Sequence, residues 1–150
     1  MQSAIGCVVV TYNRVNKLKK ALASYDSQTA APQYVLVVDN ASTDGTAGYL
    51  EEWQAEEAPY RKIVKRLASN TGGSGGFYEG QKAALEEDAG WIMLADDDAY
   101  LAPDYIETIQ QYISDNDVDD VSVVCGTVVE NGNVFNPHRR LINKPYYIME

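Results

Sequence analysis

One unbroken apolar run near the N-terminus constrains the fold more than any other feature. Ala4-Ile5-Gly6-Cys7-Val8-Val9-Val10 shows no alternation of apolar and polar side chains. A strand with one wet face alternates, whereas an unbroken run fits a strand buried on both faces, as in a parallel sheet with helices on each side. The next residues agree. Thr11-Tyr12-Asn13-Arg14 is a polar loop in which Asn13 is suited to cap a helix. Val15, Leu18, Leu22 and Tyr25 then recur at helical spacing, with Asn16, Lys17, Lys19 and Lys20 on the other face. Strand, loop and amphipathic helix make the first half of a βαβ unit.

The pattern repeats. Tyr34-Val35-Leu36-Val37-Val38 is a second strand ending in Asp39-Asn40, followed by the turn-rich Ala41-Ser42-Thr43-Asp44-Gly45-Thr46. A helix with Tyr49, Leu50 and Trp53 on its apolar side closes at Pro59, and Ile63-Val64-Lys65-Arg66-Leu67 makes a weaker third strand. Asn70-Thr71-Gly72-Gly73-Ser74-Gly75-Gly76-Phe77 reads as a glycine-dense loop opening into a helix through about Asp88. Trp91-Ile92-Met93-Leu94-Ala95 reads as a buried fourth strand running into Asp96-Asp97-Asp98. Pro103 suits a first helical turn, and Ile106, Ile109 and Ile113 give the next helix its apolar stripe. The run from Val121 to Val129 reads as a last strand, and Asn131-Gly132 turns it back into Val134-Phe135 as an antiparallel hairpin. Such alternation implies a Rossmann-like, three-layer α/β/α sandwich with a mostly parallel central sheet. It is expected to be one domain over residues 1–150, incomplete at its C-terminus, because the tail after His138 has no clear period.

Composition removes several functions. Residues 76–150 hold 4 Lys+Arg against 15 Asp+Glu, a balance of −11 that residues 1–75 offset by +1 to give the net charge of −10. A phosphate backbone needs a basic face, so nucleic-acid binding is not expected. No apolar run approaches the roughly 18 residues of a membrane helix, and no signal peptide is visible. Cys7 and Cys125 sit in apolar runs, where cysteine behaves as a buried hydrophobe, and two such residues make no disulfide framework. A reduced, cytoplasmic protein follows, placed at most peripherally on the inner face of a membrane. An incomplete sheet would expose apolar surface and invite self-association.

Ligands of doubly wound sheets bind outside the carboxyl ends of the strands. The loops carrying Asp39, Asn70 and Asp96 all leave expected strand ends, so they converge on one edge. Three adjacent carboxylates repel one another unless water or a cation screens them. A hard divalent ion held by one or two carboxylates plus substrate phosphates is one solution, and a solvated acidic turn is the other. The glycine-dense segment either lets backbone approach an anion at a helix N-terminus or is a flexible connector. It matches neither a dinucleotide fingerprint nor a P-loop. His138, the one histidine, is more often solvent-exposed in such a loop than a metal ligand.

Four blocks together carry a resemblance. Val9-Val10-Thr11-Tyr12-Asn13-Arg14, Val38 to Thr46, Asn70 to Phe77 and Asp96-Asp97-Asp98 are similar, in order, to those of family 2 glycosyltransferases of GT-A fold. The glycine-rich block and the triple Asp most resemble the galactofuranosyltransferase and rhamnosyltransferase-like branch. The resemblance implies a donor site for a nucleotide-diphosphate sugar, a UDP- or dTDP-sugar, with UDP favoured. Thr11, Tyr12, Asn13 and Arg14 would lie against base and diphosphate. Asp39 would accept from the base, and Asn70 and Gly73 would line the nucleotide–sugar pocket. Asp96 and Asp98 resemble the ends of a DXD motif that binds Mn²⁺ or Mg²⁺, with Asp97 facing the donor sugar. The acceptor would be a glycan or a lipid-linked acceptor, in cell-wall or polysaccharide biosynthesis. The family's inverting transfer also needs a carboxylate base, and no candidate is visible here, since Asp119-Asp120 precedes an expected strand and so points to the wrong edge. The competing reading is a non-catalytic nucleotide-sugar-binding module or an inactive fragment. A nucleotidyltransferase would need a glycine-rich loop directly after the first strand, and Thr11 to Arg14 has no glycine.

Overall fold

A computed structural model describes residues 4–134. The chain divides into two compact units, Met1–Asp117 and Val118–Glu150. In the first, β1 (Ile5–Thr11), β2 (Tyr34–Asp39), β3 (Arg61–Arg66) and β4 (Trp91–Asp96) pair in parallel, in the order β3-β2-β1-β4. The crossovers carry α1 (Val15–Asp26), α2 (Thr46–Ala55) and α3 (Gly72–Ala84), and α4 (Tyr105–Asp115) follows β4. Crossover handedness assigns the layers. The chain steps one way across the sheet from β1 to β3, then returns past both to β4. Right-handed connections therefore put α1 and α2 on one face and α3 on the other. This is the expected three-layer α/β/α arrangement.

β1 and β2 are buried at every position, as their lack of alternation requires. Val8, Val10, Leu36 and Val38 form one face of the core with Tyr34 and Ala84, against which Phe77 packs. The alternate residues Cys7, Val9, Val35 and Val37 point the other way, and Leu18, Leu22, Tyr25, Leu50 and Trp53 supply buried side chains from α1 and α2. Each such burial stabilises by about 1.5–3 kcal/mol.

The structure departs from the expectations in several places. The glycine-dense segment is not a loop. From Gly72 onward it is the N-terminal part of α3, with Asn70 and Thr71 before it, and the helix ends at Ala84 rather than Asp88. Gly76 and Gly80, one turn apart, face β1, where an added Cβ would stand 2.6 Å from Val10 and 2.5 Å from Val8. Glycine here lets the helix sit close on the sheet. β4 is half-exposed rather than buried, because it is an edge strand among the described residues; Leu94 is 46% exposed. Asn13 does not cap α1. It lies before Arg14 with a left-handed backbone, φ 52°. Cys125 is exposed, unlike Cys7.

In the second unit, residues 121–128 form no strand. Among the described residues of this unit, only β5 (Val129–Glu130) and β6 (Asn133–Val134) pair, antiparallel, as the hairpin expected at Asn131-Gly132. Asn131 and Gly132 both have positive φ, 50° and 77°, the combination a two-residue type I′ turn requires. No strand directly follows Asp119-Asp120, so the pair is not held at the wrong edge of a strand as expected. Phe135 and the tail with His138 lie outside the described residues.

Candidate functional site

The strand order reverses between β1 and β4, which makes the crevice beyond their carboxyl ends the topological switch point of the sheet. The register brings specific residues level there. Thr11 stands opposite Asp39, Asp39 opposite Arg66, and Val10 opposite Asp96.

The three aspartates after β4 take different environments. Asp96 is exposed, and its carbonyl accepts from the Ala99 amide at 3.1 Å, tightening the turn. Asp97 turns inward and is 3% exposed. One of its oxygens accepts the Thr11 hydroxyl at 2.7 Å and the other accepts Arg14 Nη1 at 3.3 Å. Its carboxylate is thus engaged by the β1 edge rather than presented to a sugar. Asp98 reaches back over the crevice, where its Oδ2 accepts Lys17 Nζ at 2.8 Å and Arg14 Nη1 at 3.3 Å. The hydrogen bond from Lys17 holds the Asp98 carboxyl below its ordinary value; partial desolvation opposes this, and the charges of Lys17 and Arg14 reinforce it.

Asp98 is therefore an ionised, half-exposed oxygen donor that already attracts two cations, a chemistry that fits a hard divalent ion. Among the described residues no three His, Cys, Asp or Glu side chains converge on one point. A cation at Asp98 would draw its remaining ligands from Asp96, water or a bound phosphate.

The β1–α1 and β2–α2 loops are stitched together. Ser42 Oγ accepts the Asn13 amide at 2.9 Å, and Asn13 Oδ1 accepts the Thr43 amide at 2.7 Å. Asp44 supplies the cap that Asn13 does not: its Oδ2 accepts the Val15 amide at 3.0 Å, at the start of α1. Ala41 shares the left-handed backbone of Asn13, with φ 65°. Such a conformation costs an alanine about 1–2 kcal/mol, so the hydrogen bonds hold this loop apex against its own preference.

Asp39 closes the end of β2 and is fully buried. Its Oδ1 accepts the Ser42 amide at 2.9 Å. Its Oδ2 has no hydrogen-bond partner and lies 3.5 Å from Arg66 Nε, on a side chain that is 56% exposed. The adjacent Asn40 ties the start of α3 to the sheet. Its Oδ1 accepts the Thr71 amide at 2.9 Å, and its Nδ2 donates to the Gly72 carbonyl at 2.9 Å. Asn70 Oδ1 accepts the Gly72 amide at 2.8 Å, and Gly73 is exposed with nothing within 4 Å of where a Cβ would be.

Of the expected site residues, Thr11, Arg14, Asp97 and Asp98 are joined directly by hydrogen bonds and ion pairs. Asn13 joins the β2 loop, Asp39 reaches Ser42 and Arg66, and Asn70 and Gly73 stand at the start of α3 beside Asn40's anchor points. Tyr12 is 43% exposed. Lys17, Asn40, Asp44 and Arg66 were not anticipated as site residues. Asn40 and Asp44 lay within the blocks already singled out, whereas Lys17 reads as one of several surface lysines on α1.

Residues 7–150 match the sequence profile of Glycosyl transferase family 2. The galactofuranosyltransferase GlfT1 of Mycobacterium tuberculosis is 35% identical over 100 residues, 67% of this chain; the chain spans 32% of that relative's length. Among solved structures, S. aureus TarS 1-349 in complex with UDP-GlcNAc superposes with TM-score 0.64 at 24% identity, over 75% of this chain and 31% of that one. The mannosyltransferase PcManGT from Pyrobaculum calidifontis, in complex with GDP-Man and Mn²⁺, gives 0.62 at 21%, over 79% and 33%. At these identities the structural likeness is one of fold.

Proposed function

The chain belongs to glycosyl transferase family 2 and has the GT-A fold, and on that premise we propose that it holds the nucleotide-sugar donor of a metal-dependent, inverting glycosyltransferase. The donor is a UDP- or dTDP-sugar, with UDP favoured, and the acceptor is a glycan or a lipid-linked molecule. The observation that carries this reading is Asp39. A fully buried carboxylate whose second oxygen makes no hydrogen bond, and has only a 3.5 Å ion pair to a half-exposed arginine, is under-satisfied and favours a better-placed donor. The N3–H of uracil or thymine is a fitting donor, reaching it as the exposed Arg66 side chain swings aside. The half-exposed ring of Tyr12 offers a face for the base, and Asn70 and Gly73 line the pocket beside it.

The diphosphate then lies toward Arg14, Asp96 and Asp98. Mn²⁺ or Mg²⁺ held by Asp98, with Asp96 assisting, would supply Lewis-acid stabilisation of the departing diphosphate. Asp97 does not touch the donor directly. It fixes Thr11 and Arg14, so that the guanidinium faces the crevice. The acceptor hydroxyl also needs a base, and no residue is assigned to that step.

Calorimetric titration with UDP, with and without Mn²⁺, tests the reading. Binding should depend on the metal and be abolished in Asp98→Ala. If UDP binds under neither condition, the donor site is wrong.

A further inference from the structure

Lys17 stands in the first turn of α1, three residues after Arg14, on the same side of the helix. That turn contains no acidic residue, and a cation there opposes the helix dipole. The position therefore does not serve the helix. What it does serve is Asp98, whose Oδ2 accepts Lys17 Nζ at 2.8 Å. With Arg14 on Asp97 and Asp98, these two carboxylates face two cations, leaving no net charge of theirs to attract a divalent ion. The Lys17 side chain is 51% exposed, and exposed ion pairs of this kind contribute little and exchange readily.

We propose that Lys17 is a resident counter-cation that occupies Asp98 until a nucleoside diphosphate draws it away, so that a divalent ion gains Asp98 only when the donor is present. This rests on the donor–metal reading above. The diphosphate brings the negative charge that the cluster lacks. It offers Lys17 a second anionic partner within reach of its flexible stem, and it leaves the Asp98 oxygen with only the longer 3.3 Å contact from Arg14, open to the metal. Metal and donor binding are thereby coupled through one side chain, in addition to any direct contact between them.

The test measures Mn²⁺ affinity by electron paramagnetic resonance of the free ion, on the wild-type chain and on Lys17→Met, with and without UDP. Without nucleotide, Lys17→Met should bind Mn²⁺ about fivefold more tightly, because an adjacent like charge has gone. With saturating UDP the difference should shrink to less than about twofold. Lys17→Arg keeps the charge and should resemble wild type. Lys20→Met, an exposed lysine on the same helix, controls for net charge and should change little. The inference is overturned if Lys17→Met binds Mn²⁺ no more tightly than wild type without nucleotide, or if its advantage persists undiminished with UDP. Failure of wild type to bind Mn²⁺ even with UDP would overturn the donor–metal reading itself, and this inference with it.

Discussion

Thr11 donates its hydroxyl to Asp97 at 2.7 Å, joining the ends of β1 and β4 across 86 positions of sequence. The bond is buried, and the second Asp97 oxygen holds Arg14. Two adjacent, chemically identical side chains, Asp96 and Asp97, should therefore differ sharply on mutation. Asp97→Ala strands a buried hydroxyl and loosens the guanidinium, costing about 1–3 kcal/mol. Asp97→Asn keeps an acceptor for Thr11 and costs less. Asp96→Ala, at an exposed position, should leave stability within about 0.5 kcal/mol. Urea midpoints at unchanged m-value distinguish the three.

The glycines of α3 divide the same way. Gly76→Ala and Gly80→Ala drive a methyl group into Val10 and Val8. Each should destabilise by about 1–3 kcal/mol, as overpacking a filled core does. Gly73→Ala meets no neighbour and lies in a helix, where alanine is favoured over glycine by about 1 kcal/mol. It should fold at least as stably as wild type yet weaken UDP binding. Melting temperature and calorimetric affinity, measured on the same samples, separate packing glycines from site glycines.

Asp39→Asn tests the base contact without removing the side chain. Asn keeps an oxygen for the Ser42 amide, but presents an NH₂ group where the carboxylate oxygen without a hydrogen bond now lies. A base N–H then meets a donor. UDP affinity should fall by about tenfold to a hundredfold, from the 1–3 kcal/mol of an unmade buried hydrogen bond. Calorimetry reads this, with circular dichroism confirming the fold.

What the sequence made legible was what depends on neighbours along the chain. The unbroken run from Ala4 to Val10 forced a doubly covered strand. Once strands alternate with helices, Asp39, Asn70 and Asp96 must arrive at one edge, because all parallel strands point the same way. Contacts between elements were not legible. Nothing local distinguishes Lys17 from Lys19 or Lys20; only the return of the chain at β4 brings Asp98 to it. The same holds for Asn40, whose three partners at Thr71 and Gly72 lie about thirty residues away. Gly72 to Gly76 read as loop because glycine disfavours helices, a propensity that the packing of α3 on β1, closest at Gly76, overrides. The half-exposed β4 read as buried because an apolar run does not reveal whether a neighbouring strand stands on each side.

Asp44 gives the fold a predictable acid response. Its carboxylate accepts the Val15 amide at 3.0 Å, the Thr46 amide at 3.2 Å and the Thr46 hydroxyl. Desolvation, the largest single influence, would raise its pKa, but the hydrogen bonds from Thr46 and Val15 together outweigh it and hold the group below its ordinary 3.8. The unfolded chain thus binds the proton more readily than the folded one. The stabilisation from Asp44 is complete above about pH 4, the unfolded carboxyl range. It is lost as pH falls through the lower, folded value. Asp44→Ala should cost about 1 kcal/mol at neutral pH, the typical loss of a helix cap. Its deficit against wild type should then narrow as the solution is acidified below 3.8. Thermal unfolding of both proteins across that range measures it. A deficit that stays constant through acidification would show that Asp44 acts through its shape rather than its charge.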